Sequence, residues 1–164
     1  MKIKIIAAVC KNNGIGKNNS LPWKSKSDLK FFSETTKGNF NNAVLMGRKT
    51  WESLNKPLIN RFNIIISSKK LDDSLPNVKV FKNIDDAILF SNSKNFDTLW
   101  VIGGAQIYKT FLNHYCNLIQ ECFITQIEEE HDCDTFFPNL NNWKISDNLI
   151  IGNYDHIVKI YVNN

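Results

Sequence analysis

The stretch TLWVIGGAQIYKTFL, residues 98–112, decides the fold. Its first part, Thr98–Ile102, is short and apolar, which predicts a buried strand. Gly103 and Gly104 follow at once, and the pattern of Ala105–Leu112 then predicts a helix. A strand that enters a helix through two glycines leaves unpaired backbone N–H groups at a gap that fits a phosphate. The alternative, about equally frequent, is that the two glycines only allow tight packing.

Strands and helices alternate over most of the remaining chain. Predicted strands are Lys2–Cys10, Ala43–Met46, Arg61–Ser67, Val78–Phe81 and Leu118–Ile127, followed by a closing antiparallel pair, Ile145–Ile151 and His156–Val162, around Gly152-Asn153. Predicted helices run from a cap at Ser25 or Ser27 to about Lys37, from Gly47 to before Pro57, and over Asp85–Ser91. Lys11–Ser20 is predicted to be a mobile loop and Asp134–Pro138 a compact turn. This alternation predicts an α/β fold, a mostly parallel sheet with helices on both faces.

The composition limits the classes of function. The chain has 164 residues, 43% of them hydrophobic, and its 20 basic and 16 acidic residues give a net charge of +4. That charge is too small and too scattered to indicate nucleic acid. The apolar run Ile5–Cys10 is too short for a signal peptide or a membrane span, so we expect a cytoplasmic protein that does not bind membranes.

The cysteines and histidines show no metal-binding pattern. Cys10, Cys116, Cys122 and Cys133 include no Cys-x-x-Cys pair, and the three histidines lack metal-ligand spacing. We therefore expect no metal site, and thiols that are reduced and mostly buried. The sequence GIGK at residues 14–17 lacks the spacing of a phosphate-binding loop, which excludes that motif.

Arginine is rare in this chain. Of the 20 basic residues only Arg48 and Arg61 are arginines. Only arginine offers a rigid planar fork that binds a carboxylate or phosphate through two bonds, so these positions are candidates for anion binding. The alternative is the chance survival of two surface arginines.

The segment Leu21–Phe32, LPWKSKSDLKFF, is the best candidate for a substrate site. Asp28 and Phe32 lie four residues apart and share a helix face. A carboxylate beside an aromatic ring suits a pocket for a flat heterocycle, whereas the simpler interpretation is a solvated acid in a first helical turn. Ligands of such sheets bind at the carboxyl ends of the strands. The residues predicted at that edge, next to the Asp28 helix, are Ala8, Arg48, Ser67, Ser68, Gly103 and Gly104.

Together, these motifs resemble dihydrofolate reductase over nearly the whole chain. The matching pieces, in order, are IIAAV and GIG; LPW and DLKFF; VLMGRKTWESL; PL and then R; IIISS; VIGGAQIY; and DTFFP. The resemblance implies a central, mostly parallel eight-stranded sheet with an antiparallel C-terminal strand and about four helices, in one domain spanning residues 1–164. It also implies a monomer that reduces 7,8-dihydrofolate to tetrahydrofolate with NADPH and supports one-carbon metabolism.

For the substrate, the resemblance implies catalytic roles for Asp28 and Trp23. Asp28 would anchor the pterin ring and polarise it, Trp23 would contact substrate through water, and Arg61 would bind the α-carboxylate of the glutamate tail. The implied substrate-binding residues are Ala8, Asp28, Leu29, Phe32, Leu54, Arg61, Ile102 and Thr125.

For the cofactor, the resemblance implies that residues 14–21 form a lid over the nicotinamide, that Arg48 lies beside the 2′-phosphate and that the Gly103–Gly104 bond is cis. The implied cofactor-binding residues are Ala8, Ile15, Gly16, Leu21, Gly47, Arg48, Lys49, Thr50, Ser67, Ser68, Lys69, Ile102, Gly103, Gly104, Ala105, Gln106, Ile107 and Tyr108.

The chain departs from the family pattern at two places. Ile59-Asn60 precedes Arg61 where the family often has Pro-Gly, and Ala105-Gln106 stands where many members carry Gly-Arg. Two other functions remain open. One is a reductase of the same fold that acts on a pyrimidinone of the riboflavin pathway, against which the Leu21–Phe32 segment argues. The other is a binding protein without turnover, against which the retained Asp28 and arginines argue.

Overall fold

The computed structural model describes residues 1–153 and 155–164. The strands are β1 (Lys2–Cys10), β2 (Gly14–Gly16), β3 (Ala43–Gly47), β4 (Phe62–Ile66), β5 (Val78–Phe81), β6 (Thr98–Gly103), β7 (Ile119–Ile127), β8 (Thr135–Phe136), β9 (Trp143–Ile151) and β10 (His156–Asn163). The helices are α1 (Lys26–Lys37), α2 (Arg48–Ser53), α3 (Ile84–Ser93) and α4 (Ala105–His114), with a 3-10 turn at Cys116–Leu118.

Eight strands form the main sheet, in the order β5-β4-β3-β6-β1-β7-β10-β9. β1 lies at the centre and runs parallel to both neighbours, β6 and β7. β10 runs antiparallel to β7 and β9 antiparallel to β10. These observations confirm the predicted mostly parallel sheet with an antiparallel C-terminal strand, and the parallel strands bring their carboxyl ends to one edge.

Apolar side chains cover both faces of the sheet, because successive residues of a strand point to opposite faces. On one face Ile5, Leu45 and Leu99 pack with α3 and α4 through residues such as Phe111. On the other face Ile6, Val44 and Trp100 pack with α1 and α2. Helices therefore cover both faces, as the sequence predicts. None of the helices among the described residues is long and apolar enough to cross a membrane.

Two predictions about the irregular segments were wrong. The predicted loop Lys11–Ser20 contains β2, and the predicted turn Asp134–Pro138 contains β8. The two strands pair with each other, Gly14 opposite Phe136 and Gly16 opposite Thr135. Strands of three and two residues are too short for a periodic pattern, so only their partner reveals them.

Candidate active site

Asp28 is buried in the first turn of α1. The side chain is mostly shielded from solvent, since Asp28 is 7% exposed. Burial raises the pKa of its carboxyl, while the nearby Thr125 side chain and the charge of His156 lower it. Ser25 caps the helix, since its hydroxyl accepts from the Asp28 backbone N–H at 3.1 Å. A carboxylate held out of water beside a single hydroxyl retains lone pairs for the donors of a ligand.

The residues around Asp28 come from several elements of the fold. Thr125 lies in β7 directly opposite Ala8 of β1, so the half-buried Ala8 sits at the same carboxyl edge as the acid. Phe32 of α1, Leu54 after α2 and Ile102 of β6 are all half-buried and pack on one apolar cluster. Leu29, in contrast, is 56% exposed on the helix. The structure thus brings together an acid, an apolar wall and an open rim.

Trp23 is buried between the end of β1 and the end of β7. It packs with Cys10 and Ile127, and its ring centroid lies 5.4 Å from that of His131. Its indole Nε1 is buried and has no hydrogen-bond partner among the described residues. A buried N–H without a partner costs about 1–3 kcal/mol, so this donor suits a water or ligand atom.

Arg61 is buried and lies immediately before β4. Its Nε donates to the Ile59 carbonyl at 3.0 Å and one terminal nitrogen donates to the Thr36 hydroxyl at 2.9 Å. Asn60, which stands where the family often has glycine, adopts φ of +61°, a left-handed conformation that asparagine tolerates. The departure from the family pattern therefore leaves a well-held arginine.

The buried Asn63 stabilises that turn from within β4. Its amide donates to the Leu58 and Arg61 carbonyls, both at 3.0 Å, and its oxygen accepts from the Leu58 N–H at 2.9 Å. Sequence reasoning missed this residue. An asparagine within an otherwise apolar strand, FNIII, is the signal that could have identified it.

Three glycines converge where β3 and β6 end. A Cβ at Gly47 would lie 3.1 Å from Ile107, and one at Gly104 would lie 3.5 Å from the Thr50 hydroxyl. Gly103 has φ of +110°, and the Gly103–Gly104 bond is cis, as the resemblance implies. Gly104 caps α4 without a side-chain hydrogen bond, so the first N–H groups of that helix are open to an anion.

Tyr108 connects this glycine cluster to β1. It is buried in α4, and its hydroxyl donates to the Ile6 carbonyl of β1 at 2.8 Å. Burial first, and then the charge of Asp28, raise the pKa of its phenol. Ala105 and the exposed Gln106 precede it at the start of the helix. The two predicted ligand sites are therefore neighbours in the structure.

Two of the side chains predicted to bind phosphate, Arg48 and Ser67, are engaged in contacts within the protein. Arg48 is held by Glu52 one turn later, with its terminal nitrogen 2.7 and 2.9 Å from the two carboxylate oxygens. Ser67 turns its hydroxyl back into its own loop, where it donates to the Lys69 carbonyl at 2.9 Å. Ser68, Lys69 and Lys49 are exposed. The Ser67 hydroxyl thus shapes the loop, and the exposed residues remain accessible.

The predicted lid residues lie on a segment tied to β8. Ile15 and Gly16 belong to β2, and Leu21 is exposed nearby. A second residue missed by sequence reasoning is His156, whose Nε2 lies 2.8 Å from the Ser25 hydroxyl that caps α1. Nothing in the spacing of the two residues, 131 positions apart, indicates this contact.

Comparisons with known proteins agree with this geometry. A family model described as Dihydrofolate reductase matches residues 2–155. The chain is 38% identical over 156 residues to the dihydrofolate reductase of Heliothis virescens, covering 86% of this chain and 81% of the relative. It is 37% identical over 147 residues to that of Haemophilus influenzae, covering 88% and 85%. The chain therefore belongs to the dihydrofolate reductase family, and it reduces dihydrofolate to tetrahydrofolate with a nicotinamide cofactor.

Proposed function

We propose that this reductase uses NADPH and that Asp28 is the residue that holds the pterin for reduction. The observation that carries the proposal is the burial of the Asp28 carboxylate beside Thr125, at the edge where the glycine cluster and α4 also begin. A lone buried carboxylate is a strong acceptor, and it fits the 2-amino and N3–H donors of a pterin through two parallel bonds.

The two catalytic candidates divide the work. Asp28 orients the ring and, by its charge, favours the protonated pterin, which raises the electrophilicity of C6. The unpartnered Nε1 of Trp23 donates to a water that contacts the substrate, so the indole helps position the water that carries the proton to N5. Phe32, Leu54, Ile102 and the exposed Leu29 supply apolar contact for the ring and the aminobenzoyl group.

The tail of the substrate is assigned to Arg61. The two hydrogen bonds to the Ile59 carbonyl and Thr36 fix the guanidinium plane and do not use its other terminal nitrogen. A fixed guanidinium suits the α-carboxylate of a glutamate tail better than a flexible ammonium group.

The residues at the glycine cluster fit a dinucleotide cofactor. Gly47, Gly103 and Gly104 leave the backbone open to close approach, and the first N–H groups of α4 favour a pyrophosphate. When bound, the reduced nicotinamide supplies the hydride. Ala8, Ile15, Gly16, Leu21 and Tyr108 enclose the nicotinamide side and exclude water, while Lys49, Thr50, Ala105, Gln106 and Ile107 line the pyrophosphate side.

We assign the preference for NADPH to Arg48, with Ser68 and Lys69 beside it on the loop that Ser67 shapes. The proposal requires that Arg48 exchange its half-exposed partner Glu52 for the 2′-phosphate. Such an exchange is inexpensive, because exposed helix pairs contribute only about 0.3–0.5 kcal/mol. The proposed site needs residues of one chain only, consistent with a monomer, and we propose a cytoplasmic location.

The kinetic constants for both cofactors test the assignment. Arg48→Ala should raise the KM for NADPH at least about tenfold, because it removes a charge-assisted bond, and should change the KM for NADH little. Lys144→Ala, which removes a positive charge from the edge strand β9, is the matched control. Equal effects of Arg48→Ala on both cofactors would exclude Arg48 from 2′-phosphate binding.

A further inference from the structure

Cys10 and Cys133 lie side by side beneath the proposed lid. Their sulfur atoms are 3.8 Å apart, although the residues are separated by 123 positions in the sequence. Cys10 is the last residue of β1 and is buried, whereas Cys133 lies just before β8 and is half-exposed. A Cβ placed on Gly14 would overlap the Cys133 sulfur and lie 3.0 Å from the Cys10 sulfur, so only glycine there leaves room for both thiols.

The two segments that carry the thiols are joined along their length. The Cys10 thiol donates to Asn12, and the Asn12 amide donates to the His131 carbonyl at 3.0 Å. Backbone bonds link Lys11 to Glu129 and Asp134 to Gly16, both at 3.0 Å. This network holds the sulfurs close without a covalent bond.

We propose that Cys10 and Cys133 are a covalent modification site, a dithiol that closes to a disulfide when it meets a small disulfide oxidant such as glutathione disulfide. The sulfur–sulfur distance must fall from 3.8 Å to about 2.0 Å, a movement shared by two side chains. Among the described residues, neither of the other two cysteines forms a hydrogen bond with a thiol. Cys116 contacts Asn117, and Cys122 is fully buried in the core.

The reaction is a balanced thiol–disulfide exchange. The half-exposed Cys133 thiolate attacks one sulfur of glutathione disulfide and releases one glutathione thiolate. The Cys10 thiolate then attacks the Cys133 sulfur of the mixed disulfide, forms the Cys10–Cys133 bond and releases the second glutathione. The protein loses two electrons and two protons, and the oxidant gains them. Burial, and then the neighbouring Cys10 thiol, raise the pKa of Cys133, so the reaction should accelerate with pH from about 7 to 9.

The bond would fix the base of the segment that contains β2. Cys10 precedes this segment directly, and Cys133 precedes β8, which pairs with it. Since residues 14–21 are assigned the role of a lid, which rests on the function proposed above, we expect oxidation to lower turnover and a thiol reductant to restore it.

Peptide mapping of the whole protein tests the site without relying on activity. The reduced protein is incubated with glutathione disulfide, free thiols are blocked with N-ethylmaleimide, and the unreduced digest is analysed by mass spectrometry. A peptide pair joined through Cys10 and Cys133, also present in Cys116→Ser but lost in Cys133→Ser, is the expected result.

The proposal would be overturned if Cys133 were glutathionylated while Cys10 stayed free, or if neither thiol were oxidised. The peptide map of the wild-type protein distinguishes these outcomes by itself, even if a variant fails to fold. A disulfide that forms and leaves turnover unchanged would instead contradict the lid role of residues 14–21.

Discussion

The carboxylate of Asp28 is placed where an ionised group is unfavourable. Burial raises its pKa more than the Thr125 hydroxyl and His156 lower it. A carboxyl whose pKa is higher in the folded than in the unfolded state destabilises the fold once it is ionised. The chain therefore carries a cost in stability at the position assigned to substrate binding.

Asp28→Asn should make the protein more stable near neutral pH, because the neutral amide removes the buried charge while keeping the side-chain shape. The gain should be complete above the raised folded pKa, and it should vanish as the pH falls through that value to the unfolded pKa. Thermal unfolding of both proteins across this range measures the difference. A lower midpoint for the variant at pH 7 would contradict the burial argument.

The sequence identified Arg61 as a candidate binding residue but did not predict the contacts that hold it. The rarity of arginine pointed to Arg61, but its burial and its two fixed hydrogen bonds depend on Thr36, 25 residues earlier, and on the turn held by Asn63. Contacts between distant segments leave no local pattern, so sequence reasoning identified the residue and not its support.

Arg61→Leu should weaken dihydrofolate binding at least about tenfold, the loss expected for hydrogen bonds to a charged group. A pterin that lacks the glutamate tail should bind with nearly unchanged affinity, which provides an internal control in the same variant. Binding titrations with both ligands make the comparison. A similar loss for both would assign Arg61 a structural role.

At the scale of elements, the N-terminus of α1 positions the acid. The Ser25 hydroxyl accepts from the Asp28 N–H and lies 2.8 Å from His156 Nε2, which connects the start of the helix to β10. A Cβ on Gly152 would lie 2.9 Å from the Ser27 Cβ, so the turn after β9 also packs on this helix end.

Ser25→Ala should lower the free energy of unfolding by about 1 kcal/mol, since it removes the cap of α1. Ser33→Ala, within the same helix, should be neutral or slightly stabilising, because alanine favours a helix interior. Urea unfolding of the two variants compares the positions. Equal changes would show that the cap contributes nothing specific.

Prediction from sequence succeeded for elements with a long pattern. The buried strands and the helices α1, α3 and α4 were recognisable from periodicity and caps, with boundaries shifted by one or two residues, as at Ile84 and Ile119. It failed for β2 and β8 because their pairing is the only thing that makes them strands. The sequence also could not predict that the Ser67 hydroxyl points into its own loop, because residue type alone does not specify a rotamer.

At the scale of the molecule, the sheet order gathers the site from the whole chain. β6 and β7 flank β1, so Ala8, Gly103 and Thr125 lie at the same edge of the sheet although they are far apart in sequence. The alternation of strands and helices was sufficient to predict this edge, because carboxyl ends of parallel strands meet there. The structure was needed to show which side chains point into this edge of the sheet.

The most direct test of the account is the single-turnover rate at which reduced-nicotinamide absorbance decays when NADPH-bound protein is mixed with saturating dihydrofolate. Asp28→Asn should slow this decay by about 100-fold or more while leaving NADPH affinity unchanged, because only pterin orientation and protonation are affected. A folded Asp28→Asn protein that turns over at the wild-type rate would contradict the account.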